Sequence, residues 1–494
     1  MHLILFHPNC GWWASAYTNR YRIMLNISLI SSKRCQEIHE KSLYLLENTG
    51  VAFHHEPALR LLKRHGASVD GKTARIPSKL VIKCLAMCPA SFSLEARNPE
   101  KNVIFGQSQG FLVLPNLGPI FIQDADGRKR YGTMMDFINI TRLSHVSPVV
   151  DVLGSCPIDT IDADPKTKFM QMVYQSCRYS DKPIMCCTAA PDAVERQLML
   201  MELAFGQPGI MQEKVITGTS LSPLSPLAYS QDAAYAVMAF AKQRQMIIIA
   251  GAPMSGINAP VSIAGTSLVI NVEFLAAMTL AQCVCPQTPV VYATTASASN
   301  LQNATYVTGI PETTLLNCFS AQMGRFYNVP TRTVGAATDA KTVDMQAGFE
   351  AMQTLLLAGL SGADAVYETL GVLESLMTIS YEKFIIDQEL ISRVKQMIRG
   401  VGGDQEALEV QDIEEVGIGG NYLLSAATLK ACRQRWSPMV SDRGGLPSES
   451  PAGAPPAIIQ EATTQWRNVL MHAPESILDF AIDKQMLAYI ETCH

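Results

Sequence analysis

The sequence predicts an α/β chain built on a (β/α)8 TIM-type barrel, with an N-terminal mixed α/β cap and a C-terminal helical extension. Three observations predict it. Short apolar strands alternate with helices seven times after residue 133, at intervals of roughly 30–45 residues. The strands read as near-continuous apolar runs, so both of their faces are covered. No G-x-G-x-x-G or Walker-type loop follows any of them, which disfavours an open nucleotide-binding sheet. The chain has 494 residues, 48% hydrophobic and 17% charged, which excludes a disordered linker protein. A net charge of −5 gives no basic footprint for nucleic acid.

The elements follow in order. Residues 1–23 hold His2, His7, Cys10, Trp12 and Trp13 without a clear period, and the run lacks the basic start of a secretory signal. They read as a non-native or disordered leader, with Met24 as the natural start; peptides from residues 1–20 recovered from native protein would refute this. The cap is expected over 24–132. Ile38, Leu43, Leu45 and Leu46 give one helix its apolar face, and Asn48, Thr49 and Gly50 stop it. Leu59, Leu61 and Leu62 mark a second helix, and Pro77 opens a third that ends before Pro89. Phe111–Val113 and Ile120–Ile122 read as a β-hairpin around 116–118.

The barrel is expected over 133–400. Its strands are read at 150–155, 183–187, 214–219, 246–250, 289–293, 330–335 and 365–368. The helices lie at 134–143, 167–178, 193–204, 231–244, 268–282, 312–327 and 344–357. Two places are open for the eighth strand: the early hairpin, or the region after Leu373. The extension, 401–494, carries helices at 408–416, 423–436, 458–471 and 479–492 and a Pro/Gly/Ser-rich loop at 438–456. No window reaches the roughly 18–20 uninterrupted apolar residues of a membrane span. The apolar composition makes a homo-oligomer plausible and goes no further.

The chemistry begins with what is missing. No His occurs between His145 and His472, so a Ser-His-Asp triad and a His-ligated zinc are excluded from the barrel, and no metal site is expected. The 13 Cys follow no disulfide framework; free thiols fit a reducing, cytoplasmic setting. Cys84 and Cys88 read as core residues on one helix.

Reactive groups of a barrel gather at the C-terminal strand ends. Here those ends are rich in small and polar residues: 217–226, 251–260, 292–300 and 335–344. Glycine and serine runs let a broad ligand approach the backbone closely. We single out Ser255, Asn258, Ser297, Asn300, Gly335 and Lys341 as rim residues. Glu368 ends an apolar strand beside Tyr367, where packing explains an acid poorly. Asp339 sits in the loop after the sixth strand, and Asp344 reads equally as a helix N-cap. Glu312 stands where a helix dipole favours a carboxylate. Tyr292, Tyr306 and Tyr367 offer π faces to a cation, or pack in the core.

At these residues the chain resembles the trimethylamine methyltransferase (MttB) family. The likeness runs from about Ile38 to Arg443. It rests on Leu46–Val51, Gly66–Gly71 and Arg75–Pro77, then Pro253–Pro260 with Ala264–Thr266, Ile310–Thr313, Thr338–Lys341 and Asp344–Glu350. Glu415–Gly417, Gly419–Gly420, Leu423, Trp436, Pro438 and Asp442–Arg443 complete it. The resemblance implies a (β/α)8 barrel that moves a methyl group from a methylated amine to the Co(I) of a corrinoid held by a separate small corrinoid-binding protein, received at the barrel mouth. Glu368, Tyr367, Glu312, Asp339 and Tyr292 would then bind substrate, and the six rim residues would face the corrinoid.

Archaeal trimethylamine enzymes of this family carry pyrrolysine near the sixth-strand rim; this sequence has none. Where the family's late segment often has His-Thr, Ala427-Thr428 stands here. Both departures point to the non-pyrrolysine branch, whose substrates are quaternary amines such as glycine betaine. The chemistry agrees: a quaternary ammonium carries its own neutral leaving group, so a barrel without imidazole is no handicap. The alternatives are a trimethylamine methyltransferase proper, a non-catalytic scaffold for a corrinoid partner, and a Schiff-base lyase using Lys341.

Overall fold

The computed structural model describes residues 27–106, 110–124, 126–400, 408–443 and 456–493. The leader expected at 1–23 lies outside them, as does most of the loop expected at 438–456.

A seven-stranded parallel sheet organises the molecule. Its strands are β1 (Leu112–Val113), β2 (Cys186–Cys187), β3 (Gly218–Leu221), β4 (Met246–Gly251), β5 (Val290–Thr294), β6 (Thr331–Val334) and β7 (Ala365–Tyr367), in the spatial order β1-β7-β6-β5-β4-β3-β2. Strands that follow one another in the chain pair in parallel across an intervening helix; Ile248 faces Val291 and Val334 faces Tyr367. Because side chains alternate, each apolar run supplies two cores. Met246, Ile248, Ala250, Val291, Ala293, Ala365 and Tyr367 share one interior cluster. Ile247, Ile249, Val290 and Tyr292 pack in the other, against the helices.

The hairpin expected between 111–113 and 120–122 does not form. β1 pairs in parallel with β7, with Val113 opposite Val366. Phe121–Gln123 instead pairs with Lys129–Tyr131 and with Thr378–Ser380. The intervening stretch contains Pro115 and Pro119, which cannot donate to a ladder. Phe111 and Val113 are buried, a burial that pairing within the covered parallel sheet provides and an exposed hairpin does not. The parallel sheet thus takes its first strand from the stretch expected to be cap.

The expected 150–155 strand is reduced to a short bonded segment. Asp151 N and Val152 N donate to Val113 O of β1 at 3.0 and 3.2 Å. On its other side Leu153 N donates to Pro183 O at 2.8 Å, and Met185 N donates to Leu153 O at 3.1 Å, just before β2.

A hairpin of Phe92–Leu94 and Val103–Phe105 carries Leu94 and Phe105 into the interior cluster. Its continuation binds beneath β3, where Glu95 N donates to Val215 O at 2.8 Å. The end of the sheet where the strands begin is therefore filled with apolar side chains.

Helix Ile263–Val284 follows β4 and is 22 residues long. By length and composition it passes as a membrane span, but 72% of its apolar window is buried inside the fold. Helix Ser32–Asn48, N-capped by Ser31, packs on it, and Asn271 Nδ2 donates to Ser42 Oγ at 2.8 Å between them. In the extension, helix Ala457–His472 lies on Tyr381–Ile398, where Trp466 stacks on Tyr381 and donates from Nε1 to Glu382 at 2.9 Å. Helix Phe480–Thr492 packs on Pro191–Phe205.

Candidate active site

A buried ion pair lies at the strand ends between β6 and β7. Arg332, on β6, is 1% exposed, and Glu368, directly after β7, is 2% exposed. Thr331 packs its methyl group toward Gly324 of helix Pro311–Phe326, so the next residue on the strand, Arg332, turns to the barrel side. Its Nη2 donates to Glu368 Oε2, and its Nη1 donates to the Thr294 carbonyl at 3.0 Å. The guanidinium carbon lies 4.7 Å from the centre of the Tyr367 ring. Arg332 Nε is buried without a hydrogen-bond partner.

Burial pushes the Glu368 carboxyl above its usual range, while Arg332 pulls it back down. Glu368 also holds a left-handed backbone, φ 53°, at a non-glycine position. Tyr367 points inward, and its hydroxyl accepts from Ser155 N at 3.2 Å. Tyr306 donates to the Thr295 carbonyl at 2.6 Å. Burial and the nearby Glu368 charge both raise its hydroxyl pKa, so it stays protonated. Arg332, Glu368 and Tyr367, all buried, thus form one polar group at the C-terminal strand ends, with the half-buried Tyr306 beside it.

Asp339 stands beside this group as an anchor. Its Oδ1 accepts from Thr308 N at 2.7 Å, Thr308 Oγ1 at 3.0 Å and Ser375 Oγ at 2.6 Å, and its Oδ2 accepts from Gly309 N at 2.9 Å. Behind it Glu350 Oε2 accepts from Thr338 Oγ1 at 2.6 Å and Asp339 N at 2.8 Å. A Cβ at Gly309 would come within 2.2 Å of Glu350 Oε2, so any larger residue there would displace the Glu350 carboxylate.

The other expected site residues are placed differently. Tyr292 faces away from the strand-end group: it packs on Phe274 with centroids 4.4 Å apart, and its hydroxyl donates to Asn271 Oδ1 at 3.3 Å. Its odd step on β5 sends it to the helix layer, which corrects the expectation that it lines the substrate site. Glu312 is exposed in the first turn of helix Pro311–Phe326, outside the Arg332–Glu368 group. Asp344 is the N-cap, accepting from Ala347 N at 3.0 Å.

Among the rim residues, Ser255 donates to Val261 O at 2.7 Å, and Asn258 Oδ1 accepts from Met254 N at 2.6 Å. Ser297 Oγ donates to Val307 O at 2.8 Å, and Asn300 Oδ1 accepts from Gln302 N at 3.0 Å. These four side chains shape their own loops. Gly335 is buried, and a Cβ there would meet Leu355 and Thr369 at 3.0 Å. Lys341 is 73% exposed, 3.9 Å from Glu374. That is solvated surroundings, not the desolvated pocket a Schiff-base lysine needs. Exposed apolar side chains stand on the loops and helix starts that follow these strands: Leu224, Ile257, Val261, Leu301, Met345 and Phe349.

Arg332 is hidden in the sequence because 330–335 reads as an apolar strand. A lone arginine inside such a strand was the available signal. Glu273 was missed for a similar reason, within an apolar helix. It is fully buried, accepts from Ser225 Oγ at 3.0 Å and Leu227 N at 2.9 Å, and burial raises its carboxyl to about 7.

A parallel sheet with its buried charges at the C-terminal strand ends is the layout of an α/β enzyme. The sequence comparisons specify which. Residues 14–493 match the family described as trimethylamine methyltransferase (MTTB). The chain is 34% identical over 470 residues to glycine betaine methyltransferase of Desulfitobacterium hafniense (strain Y51), covering 95% of this chain and 98% of that protein. It is 30% identical to the proline betaine:corrinoid methyltransferase of Eubacterium limosum, over 82% of this chain and 85% of that one. The trimethylamine methyltransferase MttB of Methanosarcina thermophila is 30% identical, with 85% and 88% covered. The chain belongs to the trimethylamine methyltransferase family.

Proposed function

We propose that this protein is a methyltransferase that moves a methyl group from a methylated amine, a quaternary amine such as a betaine, to the Co(I) corrinoid of a separate small protein. The observation that carries the reading is the buried Arg332–Glu368–Tyr367 group, with Tyr306 beside it, at the strand ends of a sheet whose chain has no histidine between His145 and His472. The similarity to betaine methyltransferases supports the quaternary class.

The residues act by placement. In a quaternary ammonium the C–N bond breaks with its electron pair staying on nitrogen, so a neutral tertiary amine leaves and no proton is needed. The nucleophile comes with the corrinoid. Glu368 and the faces of Tyr367 and Tyr306 hold the cation, in water-excluded surroundings that strengthen each contact. Asp339 holds the 308–309 backbone and Ser375 around them. This is positioning catalysis.

We further propose that the ring is closed as a (β/α)8 barrel. The 151–153 segment, bonded to both β1 and the residues before β2, would supply the eighth position. The division into leader, cap (24–132), barrel (133–400) and extension (401–494) is retained as a proposal, as is a cytoplasmic location. The rim apolar side chains and the glycine-containing loops suit a protein partner that presents a broad flat cofactor. Ser255, Asn258, Ser297, Asn300, Gly335 and Lys341 belong to those loops.

The test is to mix the protein with cob(I)alamin and a panel of quaternary and tertiary amines. Loss of cob(I)alamin absorbance with formation of methylcobalamin and demethylated amine is expected for a quaternary amine. Binding of the corrinoid partner without turnover on any amine would replace the enzyme reading by the scaffold reading.

A further inference from the structure

We infer that Arg332 reads a carboxylate on the substrate, so that the site selects a zwitterion carrying a quaternary nitrogen and an acid group only one or a few bonds apart, over a simple quaternary cation. The inference rests on the methyl-transfer reading above and deepens it.

The argument starts from charge. Arg332 and Glu368 are both buried and together neutral. A buried ion pair is a weak source of stability, because taking two charges out of water costs about what their attraction returns. Its location at the strand ends, against Tyr367, is where a ligand of a barrel enzyme sits. A simple cation approaching Glu368 meets a carboxylate already neutralised and a guanidinium that repels it. A compact zwitterion meets no such conflict. Laid antiparallel to the pair, its ammonium faces Glu368 and its carboxylate faces Arg332, and the desolvated site stays neutral.

The hydrogen bonds leave room for this. A guanidinium has five N–H groups. Those of Arg332 serve Glu368 and the Thr294 carbonyl, and Nε has no partner although it is buried. Arg97, Arg142 and Arg178 also leave Nε buried without a partner, but of the four only Arg332 lies on a strand of the parallel sheet, beside a buried carboxylate. A carboxylate accepting from the Nε edge would satisfy it in the bidentate geometry that arginine favours. The Tyr367 ring beneath the guanidinium holds that plane in place.

The test uses the wild-type protein first, by calorimetric binding and by methyl transfer to cob(I)alamin. The ligands are glycine betaine, its methyl ester and choline. Binding of the betaine about ten-fold or more tighter than of the other two is expected. Arg332→Gln should then narrow that gap, raising KM for the betaine far more than for choline. The paired variant Arg332→Met/Glu368→Gln, which leaves no lone buried charge, should lose the preference too if the single variant folds poorly. Equal binding of betaine and ester by the wild type overturns the inference while leaving methyl transfer intact. So does a betaine-to-choline ratio unchanged in the folded variants. Failure of every amine to bind or donate a methyl group overturns the proposed function itself, and the inference with it.

Discussion

Arg332 on β6 and Glu368 just past the neighbouring β7, 36 residues apart in the chain, form an ion pair that is almost entirely shielded from water. Each is the other's main compensation for burial. Glu368→Gln should therefore destabilise the fold by about 3–5 kcal/mol, because Arg332 is left buried and unpaired. The double variant Arg332→Met/Glu368→Gln should recover at least about 2 kcal/mol relative to the sum of the singles. Denaturant unfolding of the four proteins measures this. Additive losses would mean that the two side chains are not coupled.

Glu273 gives a pH signature. Its folded carboxyl is raised to about 7 by burial, above the unfolded value, so the folded protein holds an extra proton between about pH 4.3 and 7. Its contribution is fully present below that window and is lost as pH rises through it, by roughly 3 kcal/mol. Glu273→Gln should flatten the fall in unfolding free energy between pH 5 and 8. An unchanged slope in that variant would show that the carboxyl is ionised in the folded state.

Glu389 predicts the opposite sign. One oxygen accepts from Met439 N at 2.8 Å, Val440 N at 2.7 Å and Ser441 N at 3.0 Å, and Arg393 binds the other. These bonds to the carboxylate outweigh its burial and hold it down at about 2. The stabilisation is present above about pH 4.3 and is lost as pH falls toward 2. Glu389→Ala leaves three backbone N–H groups without their acceptor, at a cost of about 2–4 kcal/mol. Limited proteolysis should then cut near 439–441 first, while the wild type resists at neutral pH.

Asp339 separates positioning from stability. Asp339→Ala removes the shared acceptor of Thr308, Gly309 and Ser375, and should cost about 1–3 kcal/mol. Methyl transfer should fall about ten-fold or more, because Tyr306 is carried on the same loop. Activity that tracks the small stability loss alone would assign Asp339 a purely structural role.

Much of this was legible in the chain. The helices expected at 134–143, 193–204 and 312–327 form at 134–146, 191–205 and 311–326. β4 and β5 are continuous apolar runs and appear within a residue of their expected bounds. Glu368 stood out because an acid ends a buried strand.

What the sequence determined by itself is local and compositional: the alternation of strand and helix, the absence of imidazole between His145 and His472, and the family likeness. Only the tertiary structure decided that 112–113 joins the parallel sheet, that Tyr292 turns outward, and that Arg332 meets Glu368. The physical reason is that strand partnership and side-chain facing depend on long-range register. A two-residue strand carries too little pattern to name its neighbour, and a charge inside an apolar run shows its purpose only when its counter-charge arrives from another strand.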